Sequence, residues 1–449
     1  MTTAPADTRS RPDTAIPDVL APLPIDLPPV ERHARMPAGF AAVAATAGIK
    51  PSGRPDLALI VATNGPASAA GVFTQNLFAA APVRLSKAHL RSTGGDGTAS
   101  HGRALAVIAT SGSANAATGT AGDADQVEIA KAVARVLGRD GQPELTLHLS
   151  TGIIGTRLPV DKVTAALEAN ASRLAATDAA LEAAAVALRT TDSVTKVATT
   201  TVELPDVDGR PVTITVSGIA KGVGMIHPQM ATMLSVILTD ARAEPATLHD
   251  LLTAATSRTW NQLTVDGDTS TNDTVFVLAS GASAAAPVEQ DREASAALGA
   301  AIEAVARDLA RQQAADGEGA ASLITCQVSG ARTEADARAV ARSVVASALV
   351  KTAVHGRDAN WGRIAGAAGN ARVDGALVAL DPDRTRIGVA GHLVYDRAPI
   401  EFDRAAARAA MASDEVLVRL DLGLGDGTGE AFGCDLTEEY VRENSEYTT

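Results

Sequence analysis

The sequence predicts an α/β protein in which layered sheets are flanked by helices. Strand-like apolar runs and helical periodicity interleave through both halves of the 449 residues, the pattern of sheets covered by helices. Hydrophobic residues make up 46% and charged residues 20%, enough apolar surface for two or three cores or one large unit. Aromatic residues are only 2%, so small side chains must do most of the packing.

Taken in order, residues 1–35 are rich in Pro, Thr, Asp and Ala, with Pro5, Pro12, Pro17, Pro22, Pro24, Pro28 and Pro29. Such a stretch buries too little of its own surface to offset the entropy of ordering, so a disordered extension is expected. From Met36 short strands alternate with Gly/Pro turns. Ala104 opens an apolar strand that runs into a small-polar loop, Ser111 to Asn115. Helical periodicity covers Gln126–Leu137, a strand covers Leu145–Leu149, and a helix starts near Val160. Another helix ends near Leu188, before the polar turn Arg189 to Ser193. Two strands flank the Asp206–Gly209 turn and lead to Lys221. Further helices are expected over Ala246–Trp260, Val288–Gln312 and Thr333–Leu349.

Composition excludes several functions. Net charge is −13 with no long basic run, which argues against nucleic acid as a partner. Cys326 and Cys434 form no CxxC pair and read as small buried apolar residues. The eight histidines show neither HxxxH nor HExxH spacing, so no metal and no cofactor is expected. The carboxylates Asp266, Asp268 and Asp273 share one loop but lack the spacing of a calcium-binding loop. No signal pattern and no apolar run of about 18 residues is present, so a cytoplasmic protein without membrane contact is expected.

Chemistry concentrates in Lys221 to Asp240, KGVGMIHPQMATMLSVILTD. Gly222 and Gly224 permit unusual backbone angles and Pro228 fixes one, so the peptide before Thr232 can be held strained. A threonine after a small residue can attack its own preceding carbonyl. That acyl shift makes an ester of the Ala231–Thr232 bond; its hydrolysis by water would cut the chain there and leave a free α-amine beside the Thr232 hydroxyl, a nucleophile with its own base. The same residues also read as a Gly/Pro loop feeding a buried strand, Leu234 to Leu238.

The run KG-x-GMI-x-P-x-MATML resembles the cleavage signature of the ornithine acetyltransferase family, the bifunctional glutamate N-acetyltransferases of arginine biosynthesis. Ordered blocks from about residue 36 to the C-terminus share the resemblance. They include Ser150-Thr151-Gly152-Ile153-Ile154-Gly155, the turn at Thr190 and Thr191, VDGDTSTNDT, the Gly-Glu318-Gly turn, DANWGR from Asp358, and the closing Asn444 to Thr449. The chain departs from the family at Thr110 and Ser113, where two asparagines are usual, and at Ala321-Ser322, where Thr-Lys is common.

The resemblance implies Thr232 as nucleophile, with Thr151 and Gly152 forming the oxyanion hole. Substrate contacts fall to Thr190, Thr191, Lys221, Glu318, Asn444 and Thr449. Residues 36–231 become one fragment and 232–449 the other, together building an α/β/β/α-type sandwich that pairs into an α2β2 heterotetramer. The implied reaction moves the acetyl group of N2-acetyl-L-ornithine to L-glutamate through acetyl-Thr232, with acetyl-CoA an open second donor. Two other readings stay open: an amidase or aminopeptidase with an N-terminal threonine on a related fold, and a non-catalytic relative.

Overall fold

The computed structural model describes residues 20–227 and 233–446. Three main sheets stack with helices between and outside them. The first has four strands in the order Phe40–Ala45, Leu57–Ala62, Ala106–Ser113 and Thr146–Ile153. The second has six, in the order His101–Ala104, Ala67–Phe73, Thr274–Ala279, Leu234–Thr239, Pro211–Lys221 and Lys196–Pro205. The third, also of six, runs Leu263–Thr264, Gly427–Cys434, Leu323–Ala331, Glu415–Asp421, Arg386–Val389 and His392–Asp396.

The second sheet lies at the centre because it is apolar on both faces. Leu234–Thr239 is buried along its whole length, and successive side chains of a strand point to opposite faces. Leu234, Val236 and Leu238 join a core shared with the first sheet and with helix Asp178–Leu188. Ile237 and the preceding Met233 face the other way, onto helices Pro245–Arg258 and Arg292–Ala315. The outer face of the first sheet is covered by helices Gly119–Val136 and Val160–Asn170. Helix Glu334–Ala346 packs on the third sheet. Alanine and valine fill most of these interfaces, as the scarcity of aromatics requires.

Most expected elements are present, and their bounds move where capping chemistry outweighs periodicity. The helix expected from Val288 starts at Arg292 because the Asp291 carboxylate accepts the backbone N–H groups of Glu293 and Ala294. The helix expected over Thr333–Leu349 is two. The first ends at Ala346, and the Ser347 hydroxyl caps the second, Ala348–His355, by accepting from the Val350 N–H.

The N-terminal expectation is corrected for residues 20–35. Glu31 exchanges backbone hydrogen bonds with Thr199 at 2.8 and 2.9 Å, and the Pro29 and His33 carbonyls accept from the Thr200 and Thr199 hydroxyls. The segment thereby covers the edge strand Lys196–Pro205, whose backbone groups would otherwise be exposed. Farther out, Leu23 N–H donates to Gln327 Oε1 and Leu20 is buried over Gly388. Composition predicts whether a segment can make its own core; it does not report an edge that the segment can join.

Replacing Leu20 by Ala should lower the unfolding free energy by about 2 kcal/mol, the low end for a buried leucine. Urea titration measures it, and an unchanged midpoint would show that this segment adds nothing to the fold.

Candidate active site

A cavity of about 260 Å³ opens where strands Thr146–Ile153 and Pro211–Lys221 end and Leu234–Thr239 and Thr274–Ala279 begin. Thr151, Gly152, Thr190, Thr191, Lys221, Glu318 and Asn444 all line it. These are all the expected site residues that fall among the described ones. Ala231, Thr232 and Thr449 lie outside the described residues. Met233, the sequence neighbour of Thr232, lines the cavity together with Leu234 and Met225.

Thr151 and Gly152 sit near the end of Thr146–Ile153, in parallel register with Ser111 and Gly112. Gly152 has φ +124°, and a Cβ there would come within 2.4 Å of the Gly112 carbonyl carbon. Only glycine fits that conformation and that approach. Asn272 fastens the same place, its amide donating to the Ala114 and Ser150 carbonyls at 2.7 and 2.8 Å. Thus the VDGDTSTNDT loop braces the Thr151 turn from the far half of the chain.

Thr190 and Thr191 follow the helix Asp178–Leu188. The Thr191 hydroxyl donates to Glu318 Oε1 at 3.0 Å, and Asn444 Nδ2 donates to Glu318 Oε2 at 3.1 Å. Glu318 lies so close to Gly224 that a Cβ there would meet its carboxylate at 2.3 Å. Three residues far apart in sequence therefore close one wall of the cavity around a single carboxylate.

Lys221 ends the strand Pro211–Lys221 and pairs with Leu234. Its Nζ donates to Thr151 Oγ1 at 3.2 Å. Burial pushes its pKa below the usual lysine range, opposed mainly by the charge of Asp192. The next residues are held by Asp266, which accepts from Met225 N–H at 2.5 Å and Ile226 N–H at 2.8 Å. Those bonds offset the positive φ of Met225, +55°, a strained conformation for a residue with a side chain. Both Asp266 oxygens are engaged by backbone amides, so the carboxylate organises the loop. Burial raises its pKa, and that of the fully enclosed Asp273 as well.

Beneath the cavity floor lies a group that sequence reasoning missed. Lys196, fully buried, bridges Asp192 at 2.8 Å and Asp316 at 2.5 Å. Asp192 also accepts from Gly222 N–H at 2.8 Å and Thr190 N–H at 3.0 Å. Asp316 accepts from Ser193 N–H at 3.1 Å, two residues before Glu318. Burial alone would raise the Asp192 pKa, but Lys221, Lys196 and the Gly222 amide hold it well below the carboxylate range. One ion triad thus ties the Thr190 turn, the residue after Lys221 and the approach to Glu318. The only sequence sign was the Asp192–Lys196 spacing, which says nothing of Asp316, 120 residues from Lys196. Tyr440 lines the cavity itself, and the sequence did not single it out.

Trp361 and Arg363 stand elsewhere and act in packing. Trp361 stacks on Tyr395 with ring centroids 4.9 Å apart, and Arg363 donates to the Leu349 carbonyl.

The model of the ArgJ family matches residues 41–449. The chain belongs to the ArgJ family. An arginine biosynthesis bifunctional protein ArgJ of a Synechocystis species is 43% identical over 94% of this chain and 98% of its own length. One from Thermus thermophilus is 45% identical over 92% of this chain and 99% of its own. Among solved structures, an ArgJ protein from Bacillus halodurans is 40% identical, covering 48% of this chain and all of its own, with a TM-score of 0.45. An ornithine acetyltransferase from Mycobacterium tuberculosis, complexed with ornithine, is 39% identical, covering 45% of this chain and 99% of its own, with a TM-score of 0.39. ArgJ membership agrees with the resemblance carried by the cleavage-site run and the blocks around it.

Replacing Lys196 by Met strips the cation from two buried carboxylates. A loss of about 3 to 5 kcal/mol is expected in denaturant unfolding. A loss under about 1 kcal/mol would mean that the triad does not hold the cavity floor.

Proposed function

We propose that the chain cuts itself between Ala231 and Thr232 and transfers the acetyl group of N2-acetyl-L-ornithine to L-glutamate. The observation that carries this reading is the convergence of Thr151, Gly152, Thr190, Thr191, Lys221, Glu318 and Asn444 on one cavity in an ArgJ-family chain. The curated relatives are named for arginine biosynthesis, which supports an acyl acceptor and donor from that chemistry.

The cavity suits such substrates. Its volume of about 260 Å³ fits an amino-acid derivative rather than a large ligand. Among the described lining residues Lys221 is the single cation, set against Asp266, Asp268, Asp273 and Glu318. Lys221 serves the α-carboxylate that donor and acceptor share, while the acidic side receives the ornithine ammonium. Thr190, Thr191, Asn444 and Thr449 complete the contacts.

In the first half-reaction the Thr232 hydroxyl attacks the acetyl carbonyl and its proton passes to the Thr232 α-amine. Thr151 and Gly152 stabilise the oxyanion. The C–N bond breaks, the ornithine nitrogen takes the proton, and acetyl-Thr232 remains. Glutamate then enters the same pocket, its amine attacks the ester, and Thr232 is regenerated.

Residues 36–231 and 232–449 form the two fragments. The central sheet supports their staying together, because Lys221 pairs with Leu234 and Phe73 with Thr274 across the proposed cut. Two such pairs assemble as α2β2 and build the α/β/β/α-type sandwich jointly. Among the described residues no helix is long and apolar enough to cross a membrane. Cys326 and Cys434 are free and buried, which suits the reducing cytoplasm.

Intact mass under denaturing conditions should give two species, the second beginning at Thr232; a single species at 45.5 kDa would end the nucleophile assignment. With cleavage established, acetyl-ornithine alone should leave an acetylated Thr232, and added glutamate should discharge it. Acetate release without glutamate at a comparable rate would favour an amidase. Acetyl-CoA in place of acetyl-ornithine decides the second donor.

A further inference from the structure

We propose that Lys221 polarises the Thr151 hydroxyl and so acts within the oxyanion-stabilising group, in addition to receiving a carboxylate. The proposal rests on the reading of Thr151 and Gly152 as the oxyanion hole.

An ammonium only donates, whereas a hydroxyl both donates and accepts. With Nζ 3.2 Å from Thr151 Oγ1, the threonine oxygen must accept, and its own hydrogen is directed elsewhere. Among the described residues no acceptor takes that hydrogen, and Thr151 faces the cavity. A hydroxyl that accepts from a cation is a stronger donor, because each bond in the chain polarises the next. Gly152 and Asn272 fix the backbone of this turn, so the direction of the Thr151 bond is set before substrate arrives.

Against burial, Asp192, Glu318 and Asp273 favour the protonated form of Lys221, Asp273 only as far as it is itself ionised. Asp192 approaches from the turn after helix Asp178–Leu188, Glu318 from the turn after helix Arg292–Ala315, and Asp273 from the loop before Thr274–Ala279. Lys196 and, from the loop before Leu57–Ala62, Lys50 oppose them. Lys196 is itself neutralised by Asp192 and Asp316. Burial still lowers the Lys221 pKa, so its proton is lost at lower pH than that of an ordinary lysine. The ammonium is the active form here, and oxyanion stabilisation fades as pH rises through that point.

A small activated ester, 4-nitrophenyl acetate, separates the two roles because it carries no carboxylate to anchor. Acyl transfer from it is measured in the cleaved wild type, Lys221→Met, Lys221→Arg, Thr151→Val and the Lys221→Met/Thr151→Val double variant. Lys221→Met should slow kcat about tenfold to a hundredfold, short of the loss from removing an oxyanion donor outright. The double variant should be no slower than Thr151→Val alone, and Lys221→Arg should recover part of the rate. The wild-type rate should fall on the basic side below the ordinary lysine range, and Lys221→Met should lack that fall. A wild-type rate in Lys221→Met on the ester, with only a raised KM for glutamate, would overturn the proposal. So would a wild-type profile without a basic fall, a test that needs no variant to fold. Wild type that cleaves but reacts with neither the ester nor acetyl-ornithine would instead remove the oxyanion-hole reading beneath it.

Discussion

One buried ammonium holds the cavity together. Lys196 lies inside the protein with Asp192 and Asp316 as its partners, and each carboxylate also accepts backbone N–H groups from the segments that present site residues. Desolvating three charges is unfavourable unless every one is paired and hydrogen-bonded. Here the pairing is nearly complete, so the arrangement admits little slack. Its value lies in geometry: the Thr190 turn, the Lys221–Gly222 junction and the approach to Glu318 cannot shift independently.

The central sheet supplies the second constraint. Its middle strand, Leu234–Thr239, is buried on both faces and hydrogen-bonded on both edges, to Pro211–Lys221 and to Thr274–Ala279. A chain cut ahead of this strand would still have Leu234–Thr239 held on both edges. The cavity lies at the N-terminal end of this strand, where Leu234 is one of its lining residues. The two halves of the chain both contribute walls: Thr151 and Lys221 from one, Asn272, Glu318 and Asn444 from the other.

Polar groups deep in this region divide by what surrounds them. Asp192 meets cations and stays ionised, whereas Asp273, enclosed with weaker compensation, is pushed toward its neutral form. His227 is likewise kept neutral, its pKa lowered to about 4 by burial and by the neighbouring Arg342. Two aspartates near one cavity are thus pushed in opposite directions by what surrounds them.

By itself the sequence determined the α/β class and most helices and strands, and it singled out seven residues that the structure brings to one cavity. It could do so because periodicity and local motifs are encoded in adjacent residues. It misplaced helix starts at Asp291 and Ser347, where one capping side chain decides the boundary. It read residues 20–35 as disordered because docking on the Lys196–Pro205 edge depends on a partner strand more than 160 residues away. It was silent on the Asp192–Lys196–Asp316 triad for the same reason. Tertiary structure alone decided that triad, the contact of Lys221 with Thr151, and the closing of Thr191 and Asn444 around Glu318. Each is a distance between segments remote in the chain, and no local pattern carries a distance.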